Sequence, residues 1–326
     1  MKKAGIVIAF CVILGCSIMD KSMANDLLSN TRIIFASGAV AGNYLGTEDI
    51  FLKNLSPFDK SSRMKTGRKV NDSEFLQYIS EQSRDWTAAE EEKINGIMFR
   101  INSTLSEYNM VFPGEIVFIK TTGLEEGNAA YCRANNIIVL PADYVDLPAD
   151  ILYDTIVHEL FHIFSRNNSR TQEKLYEVLS FRKCGELRLP DEIFQWKITN
   201  PDAAINNYFF SLRINGRDYS LMPVLLASSE YDERKGGEFF DYLELYFIAI
   251  TENGDYTYPL IENNRFILFT INQVPDYIRL VGRNTDYIIH PEEVLASNFV
   301  FLINKTRNLP NMEIIEKMAE ILKTQW

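Results

Sequence analysis

Histidine is nearly missing from this chain. Only three occur among 326 residues, so two of them four positions apart form a pattern that composition alone does not supply. Cysteine is scarce too. There are four, with no CxxC pair and no Cys/His cluster, which argues against a structural zinc–thiolate site. Basic residues are not in excess. The 33 Lys and Arg face 44 Asp and Glu, for a formal charge of −11, so a basic nucleic-acid footprint is absent and no nucleic acid is expected as partner. The acidic balance favours solubility and identifies no substrate. There is no low-complexity tract and no internal repeat. What remains is ordinary globular composition, 46% apolar and 24% charged, in a chain long enough for one large domain or two modest ones.

The one conspicuous apolar run is N-terminal. Lys2 and Lys3 precede Ala4 to Gly15, a stretch too short to span a bilayer and patterned as an export signal. Two endings are open. Ile13-Leu14-Gly15-Cys16 has the form of a lipobox, with Cys16 as the lipidated residue. Ser22-Met23-Ala24 has the form of a small-x-small cleavage site, with Asn25 as the first mature residue. Either ending implies a bacterial cell-envelope or periplasmic protein that meets a membrane only through an N-terminal lipid. Cys132 and Cys184 then remain in the folded part, and an oxidising compartment would permit a disulfide between them.

Residues after the signal up to about 85 read as polar and irregular. Thr87 opens a helix, with Glu90 three positions on as a capping box and Ile94, Ile97, Met98, Ile101 and Leu105 at helical spacing. Glu115 to Lys120 and Asn136 to Leu140 read as buried strands flanking a turn-rich segment with Gly123 and Gly127. A helix beginning near Pro148 is stopped by Asn167-Asn168. A second runs from about Thr171 to Phe181. From Leu189 to Asp286 the pattern turns mostly β, with a strand over Tyr208 to Ile214, an Asn215-Gly216 hairpin turn and another turn at Asn253-Gly254. Phe239 to Thr251 reads as strand or helix, and Phe266 to Ile271 as a strand. Helices are expected from Pro291 to about Asn304 and from Met312 to Lys323.

Chemistry concentrates in His158-Glu159-Leu160-Phe161-His162. On a helix, residues four apart share a face, and two imidazoles so placed can bind one Zn2+. Glu159, beside the first ligand, can act as general base toward a water activated by the metal. The bland alternative is a helix carrying two histidines and no metal.

These residues resemble the zincin metallopeptidases, in which an HExxH helix crosses the active-site cleft. The resemblance is close over about residues 115 to 166. It implies an α+β zincin-like domain with a small mixed sheet, and an edge strand that pairs with extended substrate. Ala129-Ala130-Tyr131 and Asn136 to Leu140 occupy the matching place, so Ala130, Tyr131, Ile137 and Val139 are the expected edge-strand residues. An ordinary sheet strand is the competing reading. The metzincin HExxHxxGxxH pattern fails, since Ser165 and Ser169 stand where Gly and His would be. The gluzincin pattern fits better. His290-Pro291-Glu292-Glu293-Val294-Leu295-Ala296-Ser297 offers Glu293 as third ligand and Ser297 as the group orienting a zinc-bound histidine. Glu177 and Glu292 are rivals for the third ligand, and both Glu292 and Glu293 could simply be favourable charge at a helix N-terminus. His290 is read as an oxyanion-stabilising residue, a ligand or a helix N-cap, and Tyr287 as another oxyanion candidate.

The expected layout is a signal over 1–24 (or 1–15 with the lipobox), the N-terminal zincin-like part over 25–188, a β-rich insertion over 189–286 and a helical part over 287–326 that completes the metal site. The expected activity is zinc-dependent hydrolysis of a peptide or protein. A zincin-fold envelope lipoprotein without turnover and a hydrolase of a non-peptide amide are the alternatives. The oligomeric state is not legible in the sequence.

Overall fold

The computed structural model describes residues 30–324, and the fold is mixed α+β. The signal readings at Cys16 and Ser22–Ala24 lie outside the described residues. No helix among the described residues is long and apolar enough to cross a membrane.

The first sheet is built on strand Glu115–Thr121, which is buried on both faces. It pairs in parallel with Arg32–Ala36 on one side and Ile137–Pro141 on the other. Tyr131–Arg133 then adds antiparallel to Ile137–Pro141. The two faces follow the period of two. Ile116, Phe118, Ile138 and Leu140 face the main core, formed with helices Ala88–Leu105 and Ala149–Asn167. Val117, Ile119, Ile137 and Val139 face the opposite side, covered by helix Gly38–Gly46. This double burial explains the unbroken apolar runs in the sequence.

The segment before residue 85 corrects its sequence reading. It carries strand Arg32–Ala36 and helices Gly38–Gly46, Ile50–Lys53, Pro57–Arg63 and Asp72–Ser80. These helices have four to nine residues, too few turns for a visible apolar period or for stability in isolation. Side-chain caps help to hold them. Ser56 and Asp59 form a reciprocal capping box, and Asp49 and Asn71 cap their helices.

The second sheet is largely antiparallel and begins before residue 189. Its strand order is Arg182–Lys183, Tyr208–Ile214, Arg217–Ala227, Leu243–Asn253, Tyr256–Pro259, Glu186–Leu187, and Leu268–Thr270 also pairs with Leu243–Asn253. Asn215 and Gly216 both have positive φ, the backbone a two-residue hairpin turn requires. The ambiguous Phe239 segment resolves into a short 3-10 turn, Phe239–Tyr242, followed by the strand. The stretch read as a strand from Phe266 is divided into Arg265–Phe266 and Leu268–Thr270. One face of this sheet, with Phe210, Leu221 and Phe247, joins the same core as the HExxH helix. The other, with Met222, Val224 and Ile248, buries Leu187 and Ile193. The β-rich region is therefore packed into the main body.

Candidate metal centre

Helix Ala149–Asn167 is buried along most of its length, and its apolar residues pack on both the first sheet and helix Pro291–Ile303. Phe161 against Phe299, with ring centroids 5.4 Å apart, fixes one contact between the two helices. Pro291 is at the first position of its helix, where the missing N–H costs nothing. His290 is its N-cap, with Nδ1 accepting from the Glu292 amide at 3.2 Å. Glu292 and Glu293 thus enter in the first turn, and both are buried to 1% exposure. Carboxylates so placed need partners.

Each has them. Glu293 Oε2 lies 3.1 Å from His158 Nε2 and 3.6 Å from His162 Nε2. Its Oε1 accepts from Asn200 Nδ2 at 2.6 Å. Glu292 Oε1 is 3.0 Å from His162 Nδ1, while Oε2 accepts from Ser165 Oγ at 2.9 Å and from the Tyr176 hydroxyl at 2.6 Å. Glu292 holds the back of His162, so Nε2 carries the ring's free valence toward His158 and Glu293. That Nε2 is buried without a hydrogen-bond partner.

The donor set fits a zinc ion. One ligand atom from each of His158, His162 and Glu293 lies within 4.8 Å of the others. Two atoms each about 2.0–2.1 Å from one tetrahedral ion would be roughly 3.3 Å apart, close to the two observed histidine–carboxylate distances. The imidazoles and carboxylates also shift one another strongly. Burial alone would lower the His162 imidazole, but Asp202 and Glu293 raise it well above its ordinary range. Burial opposes the charge on Glu293, yet His162 and His158 hold its carboxyl well below the usual range.

Glu159 is 3% exposed and borders, with His158, a cavity of about 520 Å³. Its Oε2 accepts from the Cys132 thiol at 3.2 Å. Burial and the nearby Glu159 push that thiol well above its ordinary pKa, keeping it a donor. Asp202 completes a second close group with Cys132 and Glu159. Burial raises its carboxyl well above the usual range; His162 opposes this and Glu159 reinforces it. Asp202 Oδ1 accepts from the Cys132 amide at 2.8 Å and from Arg166 at 3.2 Å.

The remaining predicted residues divide. Tyr287 and Ser297 line the same cavity as His158 and Glu159. Tyr287 is 42% exposed overall. Burial around its hydroxyl, with Glu293, Asp202 and Glu159 nearby, raises the phenol well above its ordinary pKa. Ser297 makes no hydrogen bond to either histidine; the orienting position is taken by Glu292 on His162. His290 borders the cavity shared with Tyr176 and Arg166 and is not among the residues lining the one with His158. Glu177 is on the outer face of helix Ser169–Val178 and pairs with Lys174 at 2.9 Å.

Ile137 and Val139 correct the edge-strand expectation. Their strand has a neighbour on each side, so its main-chain groups are already engaged. The edge belongs to Tyr131–Arg133, and there Asp202 takes the Cys132 amide while Arg166 reaches its carbonyl. Only Ala129 and Ala130, leading into that strand, line the cavity with His158. Cys132 and Cys184 are both free thiols.

Sequence reasoning missed Asn200, Asp202 and Tyr176. Asp202 lies in the short 3-10 turn Pro201–Ala203, which Asn200 caps and which has no sequence motif of its own. Tyr176 lies on the buried face of an amphipathic helix, where it reads as packing. The doubled Glu292-Glu293 was a usable signal, since two adjacent carboxylates can serve two different sides of one histidine pair.

Comparison with protein-family models, curated proteins and solved structures finds no match to this chain.

Proposed function

We propose that this chain is a zincin-like, zinc-dependent peptidase of the bacterial cell envelope. The observation that carries the reading is the convergence of His158, His162 and Glu293 from two helices, with His162 Nε2 buried and otherwise unpartnered. When bound, zinc polarises a carbonyl and acidifies water enough for deprotonation near neutral pH.

The protein's own groups would do the rest. Glu159, beside His158 in the cavity, takes a proton from the attacking water and returns it to the leaving amine. The Cys132 thiol orients the Glu159 carboxylate from behind. Tyr287, kept protonated, donates a hydrogen bond to the developing oxyanion. It suits that role better than His290, whose Nδ1 is committed to capping. Ala129 and Ala130 offer the main chain nearest the catalytic groups for alignment of an extended peptide. Lys2, Lys3 and the apolar run that follows support export, with Cys16 as the proposed lipid attachment.

The test pairs metal analysis with cleavage. Purified protein should carry about one zinc per chain. Glu159→Gln should keep its zinc and fold but lose hydrolysis by about a hundredfold or more. Cleavage unchanged in that variant would sink the mechanism. Absence of cleavage by wild type across a broad peptide library would sink the peptidase reading.

A further inference from the structure

Beside the catalytic cavity is a second, narrower one. The two share Ala129, Ala130, Phe240 and Tyr287. The narrow cavity is walled mainly by Tyr131, Ile198, Leu225, Phe239, Leu243 and Ile289. It also reaches the metal cluster. Asn200 lines it and donates to Glu293 at 2.6 Å, and Asp202 lines it while standing within 4.8 Å of the Glu159 ligand atom.

Its polarity follows from how the Glu126 carboxylate is used. Both Glu126 oxygens accept from Arg63, at 2.8 and 2.5 Å, and the guanidinium is 4.2 Å from the Phe239 ring centroid. No Lys or Arg lines either cavity among the described residues. An acidic side chain entering here would meet Asp202 and Glu126 without a free cation to receive it. Size is equally restrictive. About 30 Å³ is open to the centre of a water-sized sphere, against about 520 Å³ in the cavity with His158. Gly127 helps to set this bound. Its φ is +60°, and a Cβ there would come within 2.8 Å of the Phe240 ring, so the ring can lie against the turn only over glycine.

We propose that this cavity is a specificity pocket that receives a small apolar side chain, of about alanine to valine size, from the residue next to the bond held at the metal cluster. The assignment rests on the peptidase reading for the place of the scissile bond. Recognition of the side chain itself does not depend on turnover.

The experiment therefore measures binding as well as cleavage. Doubly capped peptides differing at one position (Gly, Ala, Val, Asp or Trp) are titrated calorimetrically into the full chain bearing Glu159→Gln, loaded with zinc. Val should bind about tenfold more tightly than Gly, the scale of apolar pocket discrimination, and Asp and Trp should fall below Gly. Leu243→Phe, filling the pocket from a strand position that tolerates an aromatic, should abolish the preference for Val over Gly. Leu243→Ala should extend acceptance to larger side chains. A melting curve on each variant checks folding. A flat ranking, no binding at all, or a ranking unmoved in both folded Leu243 variants overturns the pocket. Side-chain-selective binding by a chain whose wild type cleaves nothing would instead overturn the peptidase reading and leave the pocket standing.

Discussion

His162 Nδ1 lies 3.0 Å from Glu292 Oε1, and this contact decides which nitrogen of the ring faces His158 and Glu293. Glu292 is itself held by Ser165 and Tyr176, so the orientation of the ring is set by a chain of buried contacts. Glu292→Gln retains an oxygen acceptor but removes the charge. Zinc affinity, measured by chelator competition, should fall about 10- to 100-fold. Glu293→Gln should lose more, because it removes a ligand. Equal affinities for Glu292→Gln and wild type would show that the contact does not orient the ring.

His158→Ala and His162→Ala should each abolish stoichiometric zinc binding, since two remaining ligands do not make a structural or catalytic site of this type. Elemental analysis of the purified variants checks this. Full zinc content in both would mean that any ion sits elsewhere.

His290 titrates at about 4, because burial disfavours its imidazolium despite the nearby Glu292 and Glu293 carboxylates. The unfolded chain, with an ordinary imidazole, binds the proton more tightly. Stability should therefore rise with pH between about 4 and 6.5 and fall as pH drops through that window. The contribution is on the order of 3 kcal/mol at its acid limit. His290→Asn keeps an N-cap acceptor and should flatten this dependence. Urea denaturation at several pH values measures it, and an unchanged slope would exclude His290 as the source.

Arg63 is fully buried between Asp59, at 2.6 Å, and Glu126, at 2.5 Å, and also donates to the Thr199 carbonyl. Arg63→Met would leave two buried carboxylates without their cation. A loss of about 3–5 kcal/mol is expected, read by chemical denaturation. Loss below 1 kcal/mol would show that the network relaxes by admitting water. Because Thr199 adjoins Asn200, which holds Glu293, zinc affinity should fall in the same variant.

Local order determined a good part of this protein in advance. The capping box at Thr87–Glu90, the helix Met312–Lys323 and the strand core at Ile116–Ile119 follow from spacing and propensity within short windows. So does the shared face of His158 and His162, because a helix puts residues four apart together whatever surrounds it. The likeness of Glu293-Val294-Leu295-Ala296 to the gluzincin pattern pointed to the residue that the fold brings to them, although 131 positions from His162 is longer than that pattern's usual spacing.

Only tertiary structure could decide what depends on distant packing. Glu292 and Glu293 differ by one position and look alike in sequence, yet the rotation of their helix against helix Ala149–Asn167 sends one to Nδ1 of His162 and the other toward its Nε2. Strand pairing made Ile137–Pro141 internal and left Tyr131–Arg133 at the edge, a choice that periodicity cannot make. Asn200 and Asp202 joined the site because the turn carrying them packs against that edge. A hydrogen bond between residues 93 positions apart leaves no local trace, since its geometry exists only once both ends are folded.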